Sequence, residues 1–222
     1  MSAIRATLWD FGGVISESPF DAFSRYEQAQ DLPTGFLRKL NATDPDTNAW
    51  ARLERNEVSM AEFCALFEAE ARAAGRSIDA RSVMGLLAGA IRPEMVEAVR
   101  RCAAHLPTGL ITNNFTGFDD AVPADEVLDG RAEMREVLSL FHVVIESSKV
   151  GLRKPDARIY EVACEALGAA PSATVFLDDL GVNLKPARAM GMTTIKVEDP
   201  SVALAALEAA VGVPVRAMGG GA

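Results

Sequence analysis

The sequence predicts an α/β fold, with a parallel sheet that carries helices on both faces and an all-helical insert. Two observations lead to this prediction. Short apolar segments, each followed by turn residues, alternate along the chain with segments of helical period, which is typical of strands joined by helices in a parallel sheet. Between the first and second apolar segments lies a block with helix signals and no strand-like run, which indicates a separate helical unit.

Five short segments are predicted to be strands because each is apolar and is bounded by turn residues. They are Ile4–Trp9, Thr108–Thr112, Val143–Ile145, Thr174–Leu177 and Thr193–Val197. Between and after them we expect the helices Pro93–His105, Asp156–Leu167, Val182–Met190 and Pro200–Val211. A proline suits the first turn of a helix and a glycine suits its end, and both occur at these boundaries.

The helical insert is predicted to span residues 18–91, which leaves 1–17 and 92–215 for the α/β core and 216–222 for a disordered tail. Its helix signals include a capping box at Ser59–Glu62 and a cap at Asp79. The hinges are expected near Ile15–Pro19 and Ile91–Pro93, and the recurring aromatic residues of the insert are expected to form its core. Within the α/β core, Phe115–Ser139 is expected to be a mobile loop that leads into a helix.

The composition restricts the classes of partner. Of the 222 residues, 31 are acidic and 22 are basic, a formal net charge of −9, whereas nucleic acids and anionic membranes are bound by clustered Lys and Arg. No apolar run approaches the roughly 18 residues of a membrane-spanning helix. The three cysteines, Cys64, Cys102 and Cys164, are far apart and are expected to be free thiols. We expect a cytoplasmic protein, a monomer or a homodimer, with a small-molecule partner and neither nucleic-acid binding nor membrane insertion.

Polar side chains follow four of the predicted strands. Asp10 follows the first, Thr112-Asn113-Asn114 end the second, Lys149 and Lys154 come shortly after the third, and Asp178-Asp179 follow the fourth. Taken singly, each has an ordinary explanation as a turn or a helix cap. Because ligands of open parallel sheets bind at the carboxyl ends of the strands, we expect these side chains to meet at one edge.

Three carboxylates a few ångströms apart do not all remain ionised without compensation. Either one of them takes up a proton or a cation lies among them. Hard oxygen ligands without a nearby His or Cys favour Mg²⁺, which binds one or two carboxylates together with waters and substrate phosphate. The acidic residues therefore predict a magnesium site.

The order Asp10, Thr112, Lys154 and Asp178-Asp179 resembles the four-motif signature of the haloacid dehalogenase superfamily. The stretch Val144–Val197 resembles the phosphatase-like N-terminal domain of soluble epoxide hydrolases and the matching domain of some large acyl-CoA dehydrogenases; "DFGGVI" and "TNN" resemble the latter especially. This resemblance implies a Rossmann-like core of the superfamily type, with the insert as a C1-type cap, and hydrolysis of a phosphate ester.

The resemblance also implies roles for individual residues. Asp10 would attack phosphorus and form an aspartyl-phosphate, while its second oxygen binds Mg²⁺. The main-chain carbonyl of Gly12 and the carboxylate of Asp179 would complete the protein ligands, with Asp178 acting directly or through water. Asn183 would orient the metal's surroundings through water.

For the phosphoryl group, the resemblance implies binding by Thr112 and by the main-chain N–H of Asn113. Lys154 would neutralise both Asp10 and the charge that develops during the reaction. We expect Lys149, by contrast, to be solvated.

One acid of the family pattern is missing. In most phosphatases of the family an Asp two residues after the nucleophile protonates the leaving group, and this chain has Gly12 there. The first interpretation is a phosphatase that favours leaving groups needing little protonation, or one that takes its proton from another residue, for which Glu17 is the candidate. The alternatives are a 2-haloacid dehalogenase, because halide needs no proton, and a phosphate-binding pseudoenzyme.

Overall fold

The computed structural model describes residues 3–87, 89–114 and 134–216, and the described strands form one five-stranded parallel sheet. The strands are β1 (Ala6–Trp9), β2 (Thr108–Thr112), β3 (Val143–Glu146), β4 (Thr174–Asp178) and β5 (Thr193–Lys196). Their order in the sheet is β3-β2-β1-β4-β5. The chain thus builds outward from β1 first on one side and then on the other, and the order reverses between β1 and β4. A reversal of this kind opens a crevice at the carboxyl ends of the strands.

Helices cover both faces of the sheet and form the insert. They are α1 (Phe20–Ala29), α2 (Phe36–Ala42), α3 (Ala49–Glu54), α4 (Met60–Ala73), α5 (Ala80–Gly85), α6 (Pro93–Ala103), α7 (Ser147–Val150), α8 (Ala157–Leu167), α9 (Gly181–Ala189) and α10 (Pro200–Val211). Residues 134–138 are also helical, and residues 171–173 form a short 3-10 turn before β4.

Each face of the sheet has its own apolar core because successive side chains along a strand point to opposite faces. Trp9 and Leu177 pack with α6 and α10 on one face. Leu8 and Phe176 pack with α8 and α9 on the other. The α/β fold class predicted from the sequence is therefore confirmed.

The insert has a third, separate core. Helices α1 to α5 enclose Phe23, Phe36, Phe63 and Phe67, with Phe20 and Trp50 packed against them. Trp50 meets the rings of Phe63 and Phe67 edge-on, at centroid distances of 5.4 and 5.6 Å. The predicted aromatic packing of the insert, which is called the cap from here on, is confirmed.

Two chain segments connect the cap to the sheet, and they run side by side. Glu17 donates its main-chain N–H to Ala90 O at 2.8 Å, and Arg92 donates its own to Ile15 O at 2.8 Å. A single antiparallel bridge joins Ser16 and Ile91 between these two hydrogen bonds. Both segments coincide with the predicted hinges.

Local signals placed several helix ends correctly. Ser59 and Glu62 form the predicted capping box at the start of α4, and the Asp79 side chain caps α5. Four strands differ from the prediction at one end. β1 begins at Ala6 and not at Ile4, β3 extends to Glu146, and β5 ends at Lys196. β4 extends by one residue to include Asp178. The main chain of Asp178 stays in the ladder because its carbonyl accepts from Val197 N at 3.1 Å.

Some predictions fall partly outside the described residues. Most of Phe115–Ser139 does so, as does the predicted tail except for Arg216, which donates its main-chain N–H and its guanidinium to Glu208. All three cysteines are free, as predicted. Among the described helices, none has the length and apolar content needed to cross a membrane.

Candidate active site

The site begins where β1 and β4 end side by side. Trp9 pairs with Leu177 in the parallel register, so the next residues of the two strands, Asp10 and Asp178, are neighbours. Asp10 also donates its main-chain N–H to Leu177 O at 2.9 Å. The two carboxylates therefore emerge together at the crevice opened by the reversal of strand order.

Lys154 joins these two carboxylates. Its ammonium lies 2.6 Å from Asp10 Oδ1 and 2.8 Å from Asp178 Oδ2, and its side chain is 1% exposed. The ammonium also lies 5.7 Å from the centroid of the Phe176 ring, which adds a cation–π contact. Lys154 is therefore a buried charge that is paired with two carboxylates.

The two oxygens of Asp178 are occupied by donors of the protein. Besides Lys154, Leu180 donates its main-chain N–H at 2.8 Å, and the Asn183 amide lies 3.1 Å from each oxygen. Asn183 is itself held by the Tyr160 hydroxyl, which donates to Asn183 O at 2.8 Å. This arrangement makes Asp178 an orienting group for Lys154.

The carboxylates of Asp179 and Asp10 accept fewer hydrogen bonds than that of Asp178. Asp10 Oδ1 also accepts the Phe11 N–H at 2.7 Å, while its Oδ2 has no hydrogen-bond partner within the part of the chain that the structure describes. Asp179 is half-buried, and its Oδ2 lies 3.5 Å from Ser18 Oγ. One oxygen from each of Asp10, Asp178 and Asp179 lies within 4.8 Å of the others. With the ammonium of Lys154, the three carboxylates leave a formal charge of minus two, which a divalent cation would balance.

The pKa shifts of these groups also favour an added cation. Burial raises the pKa of the Asp10 carboxyl well above its ordinary value; Lys154 opposes this shift, while Asp178 and Asp179 reinforce it. Burial also raises the pKa of Asp179 to about 6, with a further contribution from the charge of Asp178. Burial disfavours the charged form of Lys154, but Asp10 and Asp178 outweigh it and raise the pKa of the ammonium. Lysine stays protonated, and the carboxylates gain from an added cation.

The loop after Asp10 is shaped by two glycines with different environments. Gly13 has φ +73°, and a Cβ on it would lie 2.2 Å from Asp179 Oδ2, so only glycine fits. At Gly12 a Cβ would meet no atom within 4 Å, so this position is open. Arg92 supports the loop from the cap linker by donating to Gly13 O at 2.8 Å.

The loop after β2 is tied to the segment that carries Lys154. The Asn113 side chain accepts the Lys154 N–H at 2.8 Å and donates to Lys154 O at 3.0 Å. Asn114 in turn exchanges hydrogen bonds with Ser147, both at 2.9 Å. The side-chain amide of Asn113 is thus engaged, whereas Thr112, half-buried at the end of β2, lies at the same edge of the sheet.

The cap carboxylate of Glu54 reaches the loop after β2 and the segment that carries Lys154. It lies at the end of α3 and accepts from Arg153 Nε at 2.5 Å and from Asn113 Nδ2 at 3.3 Å. Burial raises the pKa of Glu54, and the Arg153 guanidinium opposes this shift. Arg153 therefore stabilises the charged form of this carboxylate.

Other predicted residues lie as follows. Glu17 has an exposed side chain in the first cap linker, and its role as a proton donor stays a prediction. Lys149 is exposed and pairs with Glu146, as expected of a solvated lysine. The sequence interpretation missed Ser18, Arg92 and Glu54, because none of them follows a strand and each reaches the site only through the packing of the cap and its linkers.

Comparison with curated proteins agrees with the quoted motifs. The chain is 32% identical over 219 residues to acyl-CoA dehydrogenase family member 10 of Mus musculus, covering 95% of this chain and 19% of that protein. It is 31% identical over 224 residues to bifunctional epoxide hydrolase 2 of Sus scrofa, covering 95% of this chain and 39% of that protein. The chain thus spans a fifth to two fifths of the length of these relatives.

Solved structures share the fold. A haloacid dehalogenase family enzyme of Bacteroides thetaiotaomicron, in complex with magnesium and inorganic phosphate, matches with a TM-score of 0.60 at 18% identity, covering 89% of this chain and 96% of that one. An L-2-haloacid dehalogenase of Xanthobacter autotrophicus matches with a TM-score of 0.57 at 15% identity, covering 93% and 82%. At such identities the likeness concerns the fold. The family model for haloacid dehalogenase-like hydrolases matches residues 4–191, and the chain belongs to this family.

Proposed function

We propose that this hydrolase is a Mg²⁺-dependent phosphoric monoester hydrolase that acts through an aspartyl-phosphate on a small phosphorylated metabolite. The observation that carries the proposal is the pairing of Asp10 with Lys154 beside Asp179, in a cluster whose formal charge is minus two. A binding site for a neutral ligand has no use for such a cluster, whereas phosphoryl transfer uses both a nucleophilic carboxylate and compensating cations.

In the proposed reaction, Asp10 attacks phosphorus while the bond between phosphorus and the leaving oxygen breaks. Its Oδ1 accepts from Lys154 and from Phe11 N–H; one of the two oxygens attacks, and the other would bind the cation. The Thr112 hydroxyl and the Asn113 N–H would hold the phosphoryl oxygens. Water then attacks phosphorus, inorganic phosphate leaves, and the Asp10 carboxylate is restored.

The residues present fit a magnesium ion. Asp10, Asp179 and the main-chain carbonyl of Gly12 would hold it, because hard oxygen donors without His or Cys suit Mg²⁺. Asp178, whose two oxygens already accept hydrogen bonds, would orient Lys154 instead. Bound Mg²⁺ would supply neutralisation of the carboxylates and of the phosphoryl oxygens.

The missing acid at Gly12 bears on the substrate class. General acid help is typically worth about 10²–10⁴ in rate, so we expect the chain to favour leaving groups that need little protonation. Aryl, acyl and anomeric sugar phosphates have such leaving groups. Glu17, exposed in the cap linker, is the candidate for a proton donor from elsewhere.

A panel of phosphate esters, assayed with and without Mg²⁺, tests the proposal. We expect hydrolysis that requires Mg²⁺, is faster for aryl than for simple alkyl phosphates, and is abolished in Asp10→Asn. Activity retained in Asp10→Asn refutes the nucleophile. No turnover of any ester, together with measurable binding of Mg²⁺ or inorganic phosphate, identifies a pseudoenzyme instead.

One observation favours a second candidate, a 2-haloacid dehalogenase. Halide leaves without a proton, which agrees with glycine at position 12. Against it stands the Asp178-Asp179 pair, which suits a cation that halide release does not need. Chloride release from a 2-chloro acid in the absence of Mg²⁺ would reverse this ranking.

A further inference from the structure

The cap carries a buried carboxylate whose charged partner belongs to the core. Glu54, at the end of α3, is 6% exposed. Its Oε2 accepts from Arg153 Nε at 2.5 Å and from Asn113 Nδ2 at 3.3 Å, while its Oε1 accepts from Trp50 Nε1 at 3.1 Å within the cap. A carboxylate is tolerated in such a place only where donors satisfy it, and two of these three donors come from the core.

The second arm of this contact is the guanidinium of Arg153. It binds Glu54 through Nε and donates to Pro45 O through Nη1 at 2.7 Å, so the same side chain binds the cap at two points. Arg153 and Glu54 are 19% and 8% exposed in their side chains. The pair is therefore largely removed from water, where charge-assisted hydrogen bonds are strongest.

Both core partners of Glu54 adjoin Lys154. Arg153 directly precedes it. Asn113 brackets its main chain, since Asn113 Oδ1 accepts from Lys154 N at 2.8 Å and Nδ2 donates to Lys154 O at 3.0 Å. The two hydrogens of the Asn113 amide thus serve Lys154 and Glu54. A displacement of Glu54 acts on the chain on both sides of the lysine that holds Asp10.

We propose that Glu54 is a positioning residue of the cap, which sets Lys154 against Asp10 when the cap lies closed on the core. The role rests on the proposed phosphatase function. Opening of the cap removes two of the donors of Glu54 and releases Arg153 and Asn113 together. Core residues hold Lys154 in either case, but the support that Glu54 gives to Arg153 and Asn113 is present only when the cap covers the site. Cap closure and the charge that stabilises phosphoryl transfer are thereby coupled.

The variant Glu54→Gln tests this role. In either orientation of the amide, its NH₂ group faces an N–H donor, that of Trp50 or those of Arg153 and Asn113, and the negative charge that pairs with Arg153 is gone. The contact to the core is therefore weakened. Glu57→Gln is the matched control, because Glu57 also belongs to a cap Glu–Arg pair, with Arg55, but is exposed and contacts no core residue through this pair.

The rate is measured as single turnover of 4-nitrophenyl phosphate with Mg²⁺ and saturating enzyme. Under these conditions the rate constant does not depend on the folded fraction, as long as the folded enzyme still saturates the substrate. We expect the rate constant of Glu54→Gln to fall about tenfold or more, as is usual for residues that orient a reacting group. Glu57→Gln should stay within about twofold of the wild-type protein. An unchanged rate constant in Glu54→Gln overturns the proposal in favour of a purely structural role.

A second variant guards against misfolding of the first. Arg153→Lys keeps the positive charge next to Glu54 but lacks the guanidinium that spans Glu54 and Pro45, and it should lower the rate constant in the same direction. An unchanged rate constant in Arg153→Lys, with Glu54→Gln unfolded, overturns the proposal.

A measurement that needs no substrate turnover distinguishes this proposal from the proposed function. The side-chain amide signals of Asn113 in NMR spectra of the Mg²⁺-loaded protein should shift in Glu54→Gln and stay in place in Glu57→Gln. Unshifted signals in Glu54→Gln would show that Glu54 does not hold the Asn113 amide, and they would overturn the proposal. A wild-type protein without turnover refutes the phosphatase function and the effect on rate, while the amide signals still decide whether Glu54 holds Asn113.

Discussion

Gly13 lies so close to Asp179 that its position has no room for a Cβ. In Gly13→Ala the new Cβ would lie 2.2 Å from Asp179 Oδ2, and the φ of +73° adds strain of about 1–3 kcal/mol. We expect Asp179 to be displaced and Mg²⁺ affinity, measured by titration calorimetry, to fall at least about tenfold.

Gly35→Ala is the control for strain alone. Gly35 has nearly the same φ, +74°, but lies in the cap with no atom within 4 Å of its Cβ position. It should lower stability without changing Mg²⁺ affinity. Equal Mg²⁺ affinity in the two variants would show that Asp179 does not hold the metal.

At Gly12 the open space allows the missing acid to be restored. Gly12→Asp places a carboxyl where a Cβ meets no atom within 4 Å, so the side chain is accommodated. We expect the ratio of kcat/KM for alkyl over aryl phosphates to rise by about 10²-fold, since an acid helps poor leaving groups most. A wild-type protein that hydrolyses both classes at equal rates would contradict the account of the missing acid.

Proton and metal compete at Asp179. Burial raises the pKa of Asp179 to about 6 in the metal-free protein, above its ordinary value of about 4. Its ionisation therefore opposes folding, and the folded state loses stability as the pH rises from about 4 through about 6. Bound Mg²⁺ compensates the charge. The rise in Tm on adding Mg²⁺ should therefore be larger at about pH 7 than at about pH 5, and it should disappear in Asp179→Asn. An equal rise at both pH values would exclude Asp179 as a ligand.

Sequence reasoning at this scale found residues that follow strands, and the family resemblance added Asn183 of α9. Asp10 and Asp178 were predictable because a parallel sheet brings the ends of its strands to one edge. Glu54 lies in a helix that was predicted only as part of the insert, and its partner Arg153 is 99 residues away. No local pattern encodes that contact, since it depends on how the cap lies against the core.

At the scale of elements, α4 illustrates how local signals build the cap. Its first turn is closed by the capping box, in which Ser59 Oγ accepts from Glu62 N at 3.3 Å and Glu62 Oε2 accepts from Ser59 N at 2.8 Å. The helix then places Phe63 and Phe67 in the cap core. A stable α4 is therefore a condition for a folded cap.

Ser59→Ala should destabilise the protein by about 1 kcal/mol, because it leaves a helix N–H without its acceptor. Urea unfolding measures the change. Ser24→Ala is the control, since Ser24 is exposed in α1 and its hydroxyl donates only to Phe20 O, at 2.9 Å; it should change stability by less than about 0.5 kcal/mol. A midpoint equal to that of Ser24→Ala would show that the box contributes nothing.

The strands and most helices were predictable as elements because the hydrophobic period, the capping residues and the glycines at helix ends all indicated the same boundaries. The end of β4 was not, since Asp178 is polar and its place in the ladder depends on pairing with Lys196 of β5. Residues 115–133, predicted as a loop leading into a helix, lie outside the described residues.

At the scale of the whole molecule, the order of the strands creates the site. Because β1 lies at the centre and β4 returns beside it, Asp10 and Asp178 become neighbours although they are 168 positions apart in the chain. The sequence indicates a parallel sheet but does not determine this order, which follows from packing on both faces.

The cap completes the molecule by contacting the loop that carries Lys154. Its own core makes it a separate unit, and Glu54 and Arg153 link that unit to the chemistry. The closed arrangement thus unites Asp10, Lys154 and the cover that, in the proposed reaction, would exclude water from phosphoryl transfer.

Mass spectrometry of the protein after an acid quench, during turnover of 4-nitrophenyl phosphate, decides whether Asp10 is the nucleophile. We predict one added phosphoryl group on the peptide that contains Asp10, formed only in the presence of Mg²⁺ and absent from Asp10→Asn. Ester hydrolysis that continues without any phosphorylated Asp10, or with the phosphoryl group on another residue, would contradict the mechanism.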